Sequence, residues 1–203
     1  MLTKRFKLFS ETVTITPIWV IVFLVVILRI PTLFEPYWYG DEAIYLTLGQ
    51  AVRQGLVLYR DIFDHKPPLL YWFAAFAGNV FWFRFILLVW SGATVALFWK
   101  LANKLFETNE KAILLSTSLF ALITTIPMFE GTIANAEIFM IGTTICAFYL
   151  LFSNTVLTNK RLIYAGMLLS MSFLFKVPSI FDAGAIAFFW IVSDFSLRGI
   201  IST

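Results

Sequence analysis

The chain has 203 residues, of which 60% are hydrophobic, 18% aromatic and only 13% charged. Soluble domains carry about 25% charged residues, so neither a water-soluble globule nor a disordered chain fits this composition. A single cysteine (Cys146), a single histidine (His65) and a net charge of +3 exclude a disulfide framework, a cysteine-based zinc site and the basic stripe of a nucleic-acid binder. What remains is an all-α polytopic membrane protein, in which the useful unit is the membrane span.

A helix needs about 20 apolar residues to cross roughly 30 Å of hydrocarbon. The apolar runs predict six spans, near 17–34, 81–99, 112–128, 136–152, 162–175 and 177–193. The first follows Lys4, Arg5 and Lys7 and has no small-residue cleavage site behind it, so it reads as an uncleaved signal anchor. The segment 67–78 is too short to span and reads as interfacial or re-entrant. With it left out, the N-terminal bases, Lys100, Lys104, Lys111, Lys160, Arg161 and Arg198 all fall on the cytoplasmic side, with both termini. Glu35, Asp41, Glu42, Asp61, Asp64, Glu130, Glu137 and Asp182 then fall at or near the outer face. Acids contribute little to orientation, so this asymmetry points to a polar outer site.

Residues 35–80 form the first outer loop. After Gly40, the stretch 41–55 predicts an amphipathic interfacial helix, with Ile44, Leu48, Ala51 and Val52 on its apolar face and Gly55 as its stop. Asp41 reads as its N-cap, with Glu42 favoured by the helix dipole; a capping carboxylate also stays ionised, as a general base must. Arg60, Asp61, Asp64, His65 and Lys66 crowd the next stretch. Pro67 and Pro68 stiffen the backbone behind Lys66, and a fixed cation there suits a lipid phosphate. The competing reading is a solvated loop with weak ion pairs. His65 reads either as structural or as a metal ligand.

Glu130, Asn135 and Glu137 form a second outer feature between spans three and four, and Lys176 marks the hinge between spans five and six. Lys176 reads either as a snorkelling lysine or as part of the outer site. Asp182 requires a cavity or a partner. Arg29 and Arg84 read as interfacial anchors, Cys146 as packing, and Trp38 and Trp72 as interface residues.

In the order GDEAIYLTLGQAVRQG, DHKPPLLYW, NAEIF and FKVPS, over nearly the whole chain, the sequence resembles the GT-C membrane glycosyltransferases. More narrowly, it resembles the branch holding protein O-mannosyltransferases, the aminoarabinose transferase of lipid A and lipopolysaccharide-core sugar transferases. The resemblance implies transfer of a hexose or pentose from a polyprenyl-phosphate donor to a glycan, lipid or protein acceptor. The reaction would take place on the outer side of what is expected to be a bacterial plasma membrane. It implies that Asp41 is the general base and Glu42 its motif partner. Lys66 and Lys176, with Arg60, would face the donor phosphate, and Tyr45, Asp64, His65 and Glu137 would support them. A divalent metal is a candidate cofactor, with His65 standing where the aminoarabinose transferase has a metal-binding acid. Family members are longer, so residues 1–203 are expected to form a single N-terminal transmembrane module. The alternatives are a non-catalytic lipid-phosphate-binding subunit or, on Asp182, a transporter.

Overall fold

The structure is a computed structural model and describes residues 4–8, 11–15, 17–36, 39–107, 109–152 and 158–201. Trp38 lies outside the described residues. Among the described residues the chain is mainly helical, but not all-α as expected: an antiparallel hairpin, β1 (Lys4–Leu8) with β2 (Glu11–Ile15), precedes the first apolar helix. The helices are α1 (Pro17–Arg29), α2 (Gly40–Arg53), α3 (Leu69–Ala77), α4 (Val80–Leu105), α5 (Glu110–Ile123), α6 (Ala136–Phe152), α7 (Asn159–Phe175) and α8 (Ile180–Ile201). Short 3-10 turns at Pro31–Phe34, Pro127–Phe129 and Val177–Ser179 each begin at or next to a proline, which cannot supply the N–H of a continuing helix.

Among the described residues, two segments are long and apolar enough to cross a membrane, Pro17–Phe34 and Val80–Leu105; Ala136–Phe152 and Val177–Val192 are shorter apolar helices. The apolar run expected at 112–128 breaks earlier, because Thr124 and Pro127 close α5 at Ile123. At about 1.5 Å per residue, the nine residues of α3 reach only about 14 Å, well short of a span.

The largest core lies where α2, α3, α4, α6 and α7 meet. Phe83, Phe139 and Phe175 stack in sequence, with ring centres 6.0 and 5.5 Å apart, and Phe73 of α3 meets Phe139 and Phe175 edge-on. Buried aromatics of this kind bring large area and a preferred geometry, which fixes α3 against α6 and α7. Tyr45 and Tyr71 belong to this core and carry their hydroxyls to its polar rim.

The buried face of α2 differs from the expected one. It is Glu42, Tyr45, Leu46 and Gly49, while Ile44 stays 45% exposed. The reason is Gly49: a Cβ there would lie 2.6 Å from the Ala75 backbone nitrogen, so the two helices approach only along a bare backbone. The N-cap position belongs to Tyr39, not Asp41, which sits within the first turn. Gly55 follows the helix at φ +91°, the left-handed conformation expected of a stop.

Candidate functional site

Asp41 and Tyr45 stand one turn apart on α2, which brings their side chains together. The chain then leaves α2, and Leu58 bridges to Ile62. Tyr59 takes a left-handed φ of 67° and donates its N–H to the Ile62 carbonyl at 2.7 Å. Its hydroxyl donates to the carbonyl of Lys66 at 2.6 Å. Two prolines follow, so the Lys66 backbone is held from both sides.

Lys66 is turned back onto α2. Its Nζ donates to Asp41 Oδ2 and to the Tyr45 hydroxyl, each at 2.6 Å, and lies 4.5 Å from the centre of the Tyr45 ring. The Tyr45 hydroxyl in turn donates to Asp41 Oδ2 at 3.1 Å, with Asn135 Oδ1 as a second acceptor at 3.3 Å. Asn135 is buried. Its Oδ1 also accepts the Ala136 N–H at the start of α6, and its Nδ2 donates to Glu130. The lysine side chain is 15% exposed and the aspartate 39%, so the cation is sheltered and the carboxylate still open on one side.

The electrostatics follow from these contacts. The hydrogen bond from Lys66 holds Asp41 below the usual carboxylate range, against the opposing effect of partial burial. Burial first, and the Asp41 charge next, push the Tyr45 phenol far up, so it remains a donor throughout the physiological range. Asp64 is pulled upward by burial, but the Tyr71 hydroxyl and the His65 N–H bonded to it prevail and its range is lowered. Tyr39 is pushed up to about 12 by desolvation and by its bond with Glu130.

Glu42, expected beside Asp41 as its catalytic partner, faces the other way. It is fully buried and forms a two-pronged ion pair with Arg84 of α4, at 2.9 and 2.5 Å. The same guanidinium donates to the carbonyls of Thr32, Glu35 and Pro36, while Glu42 also accepts the Ala134 N–H. Arg84 is therefore no interfacial anchor: it clamps the exit of the first apolar helix, the start of α2 and the 130–135 turn to α4. Arg29 is likewise buried, and donates to the Thr124 carbonyl at 2.5 Å. A lone arginine near an apolar helix end gives no sequence signal that separates these roles.

Lys176 forms an ion pair with Glu137, whose Oε2 is buried without a partner among the described residues. Arg60 pairs with its neighbour Asp61 on the exposed loop, and no contact joins it to Lys66 among the described residues. His65 Nδ1 lies 2.8 Å from Asp64 Oδ1 and its side chain is 79% exposed. Among the described residues no three His, Cys, Asp or Glu side chains converge, and the Asp64 oxygens already serve Tyr71 and His65. This donor set does not fit a divalent metal. Asp182 accepts from Thr144 at 3.3 Å, within a polar contact that includes Ser172.

An open groove of about 420 Å3 runs along the exposed flank of α2, lined by Ala43, Ile44, Thr47, Leu48, Phe63 and Asp64. The site thus offers a partly open carboxylate, an ammonium and a phenol in mutual contact, next to an apolar trough. Sequence reasoning missed Tyr59 as the brace of Lys66, and it grouped Asn135 with Glu130 and Glu137 without its contact to Tyr45; no local sequence signal marks either contact. No protein-family model, no curated protein and no solved structure matches the chain.

Proposed function

We propose that this chain is a GT-C-type membrane glycosyltransferase, or the N-terminal module of one, which moves a sugar from a polyprenyl-phosphate donor to an acceptor on the outer face of the membrane. In this reading α1, α4, α5, α6, α7 and α8 are the six spans, and α2 and α3 lie in the outer interface. Large apolar side chains exposed along these helices, such as Phe23 and Leu24 on α1, Leu119 on α5, Met167 on α7 and Phe188 on α8, suit lipid.

The observation that carries the reading is the Lys66–Asp41–Tyr45 contact, made by residues from two outer-loop segments. Transfer needs a base for the acceptor hydroxyl and a cation for the leaving phosphate. As the acceptor oxygen bonds to the anomeric carbon, its proton passes to Asp41. The bond from that carbon to the phosphate oxygen breaks with its electron pair, leaving a polyprenyl phosphate monoester whose extra charge Lys66, with Lys176, would neutralise. Attack opposite the leaving group inverts the anomeric centre. Glu42, through Arg84, positions the start of α2 and takes no part in the proton transfer. The groove beside α2 is suited to an apolar part of either substrate.

The test is sugar transfer by membranes containing the protein, supplied with a panel of polyprenyl-phosphate hexoses and pentoses carrying radioactive sugar. Transfer is expected with at least one donor, and Asp41→Asn and Lys66→Ala should each lower it about 100-fold or more. Absence of transfer by the unsubstituted protein with every donor, or undiminished rates in both variants, contradicts the proposal.

A further inference from the structure

We propose that Lys66 and Asp41 hold each other in reserve, and that a donor phosphate arriving at Lys66 takes the lysine away from Asp41, so that the carboxylate becomes a base only when the donor is bound. This inference rests on the function proposed above and concerns how that same site is controlled.

The starting point is a conflict of partners. An ammonium has three N–H donors, and two of those on Lys66 are spent at 2.6 Å on Asp41 and Tyr45. A phosphate that shares the lysine through its third N–H is brought against the Asp41 carboxylate, and the repulsion between the two anions favours exchange of one for the other. Lys176 is in the same position, paired with Glu137. Both lysines are thus paired with an acid in advance, and a phosphate competes with that acid for either.

The surroundings allow that exchange at Lys66 without moving the fold. Its carbonyl is tied to the Tyr59 hydroxyl and two prolines follow, so the motion is confined to the side chain. Once the ammonium leaves, Asp41 keeps the Tyr45 hydroxyl as a donor. That hydroxyl has a second acceptor in Asn135 Oδ1, 3.3 Å away, and can turn to it. The other charged or titratable groups around Asp41 are the acid Asp64, the phenols Tyr39 and Tyr45, Glu130 beyond Tyr39 and Asn135, and, beyond Tyr45, the Glu137–Lys176 pair. Among the described residues no second cation contacts Asp41. Losing Lys66 therefore leaves it in acidic and partly buried company, which favours taking up a proton. In the resting state the depressed acidity range of Asp41 makes it a poor base, so neither water nor an acceptor is activated before the donor is present.

The test is the titration of Asp41 in the purified full chain. Infrared difference spectra of the unsubstituted protein against Asp41→Asn isolate the protonated carboxyl band of this residue, with and without saturating farnesyl phosphate. Phosphorus NMR of the same samples reports whether the probe is bound. Without the probe the band should appear only below the ordinary carboxylate range. With it, the midpoint should rise by about one pH unit or more. Lys66→Met should show the raised midpoint with no probe present. Bound farnesyl phosphate with an unmoved or lowered midpoint, or an unshifted Lys66→Met, overturns the exchange and leaves the proposed function standing. Failure of farnesyl phosphate to bind at all overturns both.

Discussion

Asp41 and Lys66 are 25 residues apart, yet their charged atoms meet at 2.6 Å. Each was legible in the sequence as a functional candidate: one opens a helix, the other precedes two prolines. Their contact was not, since nothing local in the chain reports that α3 folds back on α2. The pair has a consequence for stability. The carboxyl of Asp41 lies below its ordinary value of 3.8 in the folded protein, so its contribution is fully present above that value and is lost as pH falls through the lower, folded one. Thermal unfolding of the detergent-solubilised protein should therefore show the unsubstituted chain losing an advantage over Asp41→Asn as pH is lowered from about 5 towards 2. An advantage that stays constant across that window would contradict the ion pair. Arg84 gives the opposite lesson. Its position near a helix end reads as an anchor, but its partner Glu42 lies 42 residues away, and only the fold shows that the charge is buried and matched.

At the scale of elements, the existence of α2 and α3 and the shortness of α3 were legible from turn residues and run length. The buried face of α2 was not. Hydrophobicity pointed to Ile44 and Leu48; Leu48 does pack against the core while Ile44 stays exposed, and the close approach is made at Gly49 and Tyr45, where bare backbone and a hydroxyl matter more than apolar area. The Glu42–Arg84 clamp ties α1, α2, α4 and the 130–135 turn together, and its energetics can be read by exchange. Removing one partner strands a buried charge and costs about 3–5 kcal/mol, whereas replacing both with apolar residues of similar volume removes the charges together. Arg84→Met alone should markedly lower the unfolding midpoint. Adding Glu42→Leu to it should recover most of the loss. A double variant as unstable as the single one would mean that the clamp acts through its backbone contacts and not through the pair.

For the whole molecule, the mainly helical architecture was legible from the long apolar runs, whereas the β1–β2 hairpin ahead of them was not expected. The number of spans is the less legible quantity: proline and threonine shorten α5 below what its apolar run suggests, and two segments meet the full length for crossing among the described residues. The proposal joins these scales. Helices with apolar outer surfaces would present a sheltered lysine and a half-open carboxylate at the level where a membrane lipid carries its phosphate. The most direct test is the affinity of the full chain, in lipid nanodiscs, for farnesyl phosphate. The account predicts that Lys66→Ala weakens binding about tenfold or more, roughly 1.4 kcal/mol. It predicts also that Asp41→Asn binds at least as tightly as the unsubstituted protein, since the phosphate no longer competes with a carboxylate for the lysine. Unchanged affinity in Lys66→Ala, or equal weakening in both variants, would contradict it.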